Sequence, residues 1–61
     1  MTPLKRWLDE QGRKQKWLAA ETGANLTTVS QWVRGKSRPD ARYREAIERI
    51  TDGGVPVSAW K

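Results

Sequence analysis

Sixty-one residues with twelve Lys or Arg against seven Asp or Glu carry a formal net charge of +5, and only 36% of the chain is apolar. That length holds one domain at most, and so short a chain buries only roughly 60% of its unfolded surface, so its core is thin. The absence of Cys and His excludes disulfides, thiolate metal sites and imidazole chemistry, and leaves carboxylates as the sole metal ligands. No apolar run approaches the ~18 residues of a membrane span and no signal-peptide pattern opens the sequence. A cytoplasmic location, no membrane partner and no cofactor are therefore expected.

Thr2-Pro3 opens a first helix, with Thr2 as N-cap and Pro3 in the first turn, where its missing amide does no harm. Leu4, Trp7 and Leu8 follow the i, i+3, i+4 spacing of a buried stripe, and Gly12 ends the helix. A second helix begins between Arg13 and Gln15 and carries Trp17, Leu18, Ala19 and Ala20. Ala19 is small where two helices cross. Gly23, four residues on, sits where the chain must turn through the left-handed region. Asn25 is placed to accept from the free amides of a third helix, expected over residues 26–34, with Gly35 as its C-cap. Val29, Trp32 and Val33 fall on one face of it.

Lys36-Ser37-Arg38-Pro39 forms a short basic loop. Pro39 or Asp40 opens a fourth helix with Tyr43, Ala46, Ile47 and Ile50 on one stripe, and Gly53-Gly54 is expected to end it. No strand pattern or repeat is visible in residues 1–54. The fold class expected is all-α: a compact bundle of four to five helices containing a helix-turn-helix, with residues 1–54 as the domain and 55–61 as a short tail. Val55, Val57 and Trp60 make that tail apolar, so it either caps the core or forms a dimer contact. A short fifth helix, an extended arm and an exchanged strand all remain open for it.

The charge is uneven along the chain. Residues 13–44 hold eight bases (Arg13, Lys14, Lys16, Arg34, Lys36, Arg38, Arg42, Arg44) against Glu21 and Asp40, a net of +6, whereas the remainder carries −1. A basic stripe of this kind attracts a polyanion. At about 100° per residue, Thr27, Gln31 and Arg34 point opposite to Val29, and Thr28 and Ser30 flank them. The face has no carboxylate and no large apolar group; short hydroxyls, an amide and a guanidinium are what hydrogen-bond base edges and phosphates.

Gln15, Leu18-Ala19, Gly23, the run Val29-Ser30-Gln31-Trp32 and the run Arg34-Gly35-Lys36-Ser37-Arg38-Pro39 resemble the DNA-binding domain of phage and bacterial helix-turn-helix repressors, the Cro and lambda-repressor superfamily. With the helices before and after, the resemblance covers about residues 3–54. It implies that Gln15 anchors to phosphate, that Leu26, Thr27, Ser30 and Gln31 occupy the base-facing positions, and that Arg34, Lys36 and Arg38 grip the DNA backbone. Lys16, Asn25 and Thr28 complete the expected DNA-binding set. Leu26 departs from the usual polar residue and either meets a thymine methyl or folds back on the core. Trp17 is bulky where many relatives carry something small.

The function expected is a sequence-specific regulator of transcription, a Cro-type repressor binding a palindromic operator in double-stranded DNA as a homodimer that is weak in solution. Two other readings use the same fold: the antitoxin of a toxin–antitoxin pair, with Trp60 docking the toxin, and a protein-interaction module. An enzyme is not expected, because Glu45 and Glu48 at i, i+3 have no nucleophile beside them and no phosphate-cradling loop is present.

Overall fold

The structure, a computed structural model, describes residues 2–60; Met1 and Lys61, the outer ends of the two expected segments, lie outside the described residues. Four α-helices follow one another: α1 (Pro3–Gln11), α2 (Gln15–Thr22), α3 (Leu26–Arg34) and α4 (Ala41–Ile50), with a single 3₁₀ turn at Val57–Ala59. Among the described residues there is no strand, and no helix is long and apolar enough to cross a membrane. The all-α class and the helix-turn-helix read from the sequence are therefore what the chain adopts.

Local chemistry sets most boundaries. The Thr2 hydroxyl accepts from Lys5 N at 3.1 Å, capping α1, and donates to Val33 O at 2.7 Å. One side chain thus starts the first helix and ties it to the end of the third. Gly12, at φ 67°, closes α1, and Arg13 N donates to Leu8 O across it. Gly23, at φ 78°, turns the chain out of α2, and the Asn25 carboxamide oxygen accepts from Thr28 N at 2.8 Å to begin α3. Both positive-φ positions would strain any residue with a Cβ. Asp40 caps α4 by accepting from Tyr43 N at 3.1 Å.

The C-terminal boundary of α4 differs from the expectation. The helix stops at Thr51, not at Gly53-Gly54. The buried Thr51 hydroxyl donates back to Ile47 O at 2.7 Å and accepts from Val55 N at 3.0 Å, so it ends the helix and turns the chain inward at once. Asp52 at φ 53° and Gly53 at φ 83° are the two left-handed residues of the turn that follows. Val55 then enters the core fully buried, and Val57 N donates to the Glu48 carboxylate at 3.2 Å. Ala59 and Trp60 pack against the core from outside.

The core is Leu4, Leu8, Leu18, Ala19, Val29, Trp32, Val33, Ile47 and Val55. α2 and α3 form the most extensive helix pair, and Ala19 of α2 is buried in the core. Trp32 is 2% exposed, and its ring lies 5.2 Å from that of Tyr43 on α4. Trp7 and Trp17 stack at 5.9 Å on another side of the molecule. Truncation of Trp32 leaves a large void and releases α3. Trp32→Ala is expected to cost about 3–5 kcal/mol, enough to leave so small a domain largely unfolded at room temperature. Urea melts followed by circular dichroism measure this, and a variant melting like the parent would show that α3 is held by something else.

Candidate nucleic-acid interface

α3 divides cleanly into two faces. Val29, Trp32 and Val33 are buried, whereas Thr27, Gln31 and Arg34 are exposed and Thr28 and Ser30 are half-buried. Leu26 is 50% exposed, so it stands outward at the head of the helix and does not fold back on the core.

The outward face forms one wall of an open concavity of about 460 Å³. Gln15, Leu26, Thr27, Ser30, Gln31, Arg34 and Lys36 line it, and no carboxylate is among them. Seven of the residues singled out from the sequence therefore meet in one place. The tight turn brings them together, because Gly23 and Asn25 set the first residue of α2 beside the outward edge of α3. Gln31 is further oriented by the Ser37 hydroxyl, 3.5 Å from its carboxamide oxygen. That oxygen keeps a second lone pair, and the NH₂ group keeps both donors.

The other four expected residues lie elsewhere. Lys16 borders a neighbouring groove that shares Gln15 and Leu26 with the first. Asn25 and Thr28 spend their capping groups on each other, so their remaining polar atoms are the Asn25 NH₂ and the Thr28 hydroxyl. Arg38 lines a separate, smaller concavity with Thr2, Pro3 and Trp60. The loop after Gly35 therefore points Lys36 and Arg38 to different sides, which their spacing of two does not reveal.

The ion pairs are as informative as the shape. Among the described residues they are Lys5–Asp9 at 2.9 Å and Arg6–Glu10 at 3.8 Å, both along α1. Among the described residues Arg13, Lys14, Lys16, Arg34, Lys36 and Arg38 have no carboxylate partner, so their field is left for an external anion. Arg44 is spent differently: its Nε donates to Pro39 O at 2.7 Å. Arg13 and Lys14 count in the sequence only as members of the basic stretch. The Gly12 turn places them with Lys5 and Lys16 in the groove beside Gln15. Their position directly after a helix-ending glycine was the available signal.

A helix-turn-helix whose second helix turns a polar, cationic, carboxylate-free face outward defines the class of small DNA-binding domains. A family model described as helix-turn-helix matches residues 4–55, and the chain belongs to that family, in the Cro and lambda-repressor-like superfamily. It is a family of DNA-binding regulators of transcription. No curated protein and no solved structure matches the chain.

Asn25 holds the turn between the two helices by capping α3. Asn25→Ala removes the acceptor of Thr28 N and is expected to lower stability by about 1 kcal/mol, whereas Asn25→Gly loses only a few tenths. Thermal melts of the two variants in the absence of DNA separate this capping role from any contact with a ligand.

Proposed function

We propose that the chain is a repressor of the phage Cro type that binds a palindromic operator as a dimer, with the outward face of α3 in the major groove. The observation that carries this is the carboxylate-free concavity formed by Gln15, Leu26, Thr27, Ser30, Gln31, Arg34 and Lys36. In this reading Gln31, Ser30 and Thr27 meet base edges, and Leu26 presents its methyls to thymine. Gln15, Lys16, Lys36 and Arg38 contact phosphates, and Asn25 and Thr28 border the same backbone. Arg34 lies between the two groups.

Arithmetic supports the dimer. One recognition helix spans about four base pairs, too few to single out a site in a genome, and two related by a dyad about 10 base pairs apart meet the same side of the duplex. Repression by occupying the site needs no second active surface.

Selection of binding sites from a random duplex pool gives the half-site, its symmetry and its spacing together. On the selected site Gln31→Ala is expected to lose roughly 1–3 kcal/mol of affinity and almost nothing on random DNA. Lys36→Ala is expected to weaken both duplexes alike and to flatten log affinity against log salt by about one unit per subunit. If Gln31→Ala weakens both duplexes equally while Lys36→Ala changes sequence preference, α3 enters the groove by another edge. Occupation of a lone half-site by one subunit would argue against the dimer.

A further inference from the structure

The loop between α1 and α2 carries an arrangement that the reading face does not account for. The guanidinium carbon of Arg13 lies 4.7 Å from the centroid of the Trp17 ring. Trp17 stacks on Trp7 with ring centroids 5.9 Å apart and an interplanar angle of 22°. Trp7 is backed by Gly54, where a Cβ would come within 2.5 Å of the indole. Both indoles are half-buried and pack against the core. A continuous ladder thus runs from the turn after α4, through two indoles, to a cation at the surface.

A guanidinium resting on an indole is held through its face, so its N–H edge stays free to donate. Arg13 has no carboxylate partner among the described residues. It lines the groove that also contains Lys14 and Lys16, and that groove shares Gln15 and Leu26 with the reading concavity. Its one carboxylate, Asp9, is already paired with Lys5 at 2.9 Å. A planar fork resting over an indole beside other cations, on ground contiguous with the concavity of α3, has the chemistry of a phosphate clamp.

We propose that the Trp7–Trp17 stack is a shelf that positions Arg13 to grip a phosphate, extending the DNA contact from the reading concavity along the α1–α2 loop onto the flanking backbone. This rests on the DNA-binding reading above. Arg13 makes the contact and Trp17 is a positioning residue acting through it. The bulk of Trp17 then has a purpose that a small side chain at this place could not serve.

The test is a salt titration of the 61-residue chain on a mixed-sequence duplex, comparing the parent with Arg13→Gln, Trp17→Leu, Trp17→Phe and the double variant of Arg13→Gln with Trp17→Leu. Arg13→Gln is expected to reduce the slope of log affinity against log salt by about 0.9 per bound subunit. It leaves the ranking of base sequences unchanged, because a phosphate contact carries no sequence information. Trp17→Leu is expected to lose roughly two- to fivefold in affinity at low salt, Trp17→Phe to recover most of it, and Trp17→Leu to have no further effect once Arg13 is Gln.

Additive losses in that cycle would make Trp17 merely structural and overturn the proposal. So would an Arg13→Gln slope equal to the parent's, and this surface substitution stays readable even if the Leu variant fails to fold. Either result leaves the DNA-binding reading standing as long as Gln31→Ala still separates selected from random duplexes. A parent protein that binds no duplex at low salt overturns both.

Discussion

The burial of Trp32 is the constraint on which the rest depends. α3 has nine residues and must be fixed firmly while keeping half its circumference bare. A narrow apolar stripe of Val29, Trp32 and Val33 solves this, with the one large ring making the largest single contribution. Tyr43 meets that ring from α4, and Val33 O receives the Thr2 hydroxyl from the start of α1. The orientation of the polar face is therefore set by contacts on the opposite face. Thr27, Gln31 and Arg34 owe their presentation to packing on the far side of their own helix.

Charge is distributed on the same logic. Pairing the cations of residues 13–44 with acids on neighbouring helices would reduce self-repulsion but cancel the field that draws in a polyanion. The acids are concentrated instead on α1 and α4, where Asp9 and Glu10 pair within their own helix and Glu48 holds Val57 N. Repulsion among the remaining cations weakens a fold whose core is only nine residues. Caps, turn glycines and the inward bend of the tail offset part of that weakness.

The helices were legible in the sequence because their boundaries are local. Thr2, Gly12, Gly23, Asn25, Gly35 and Asp40 each act on amides or dihedral angles within a few residues, and the apolar spacing named the buried face of α3 outright. The end of α4 was not legible. The Gly53-Gly54 pair is the obvious local stop, but the Thr51 hydroxyl outcompetes it by bridging Ile47 O and Val55 N, and Val55 is drawn in by core contacts that no short window contains. Seven of the eleven residues expected from the sequence meet in one concavity because helix periodicity and one turn govern them. Arg38 departs from Lys36, and Arg13 lines the groove next to the concavity, for reasons set by loop dihedral angles and by the pairing of Trp7 with Trp17 across two helices. Periodicity along one helix is blind to such pairings.

The small concavity behind the loop after α3 is lined by Thr2 and Pro3 from one end of the chain and by Ala59 and Trp60 from the other. Residues 2 and 60 thus border the same small concavity, next to Gly35, on a wall that Gln31 and Thr27 do not share. Segments in such a position, here residues 2–3 and 59–60, can be joined by a short linker and the chain reopened at an exposed turn without disturbing the packed helices. A ring closed there would confine the unfolded chain and leave α3 untouched. The order in which the helices are strung together is thus separable from the surface they present.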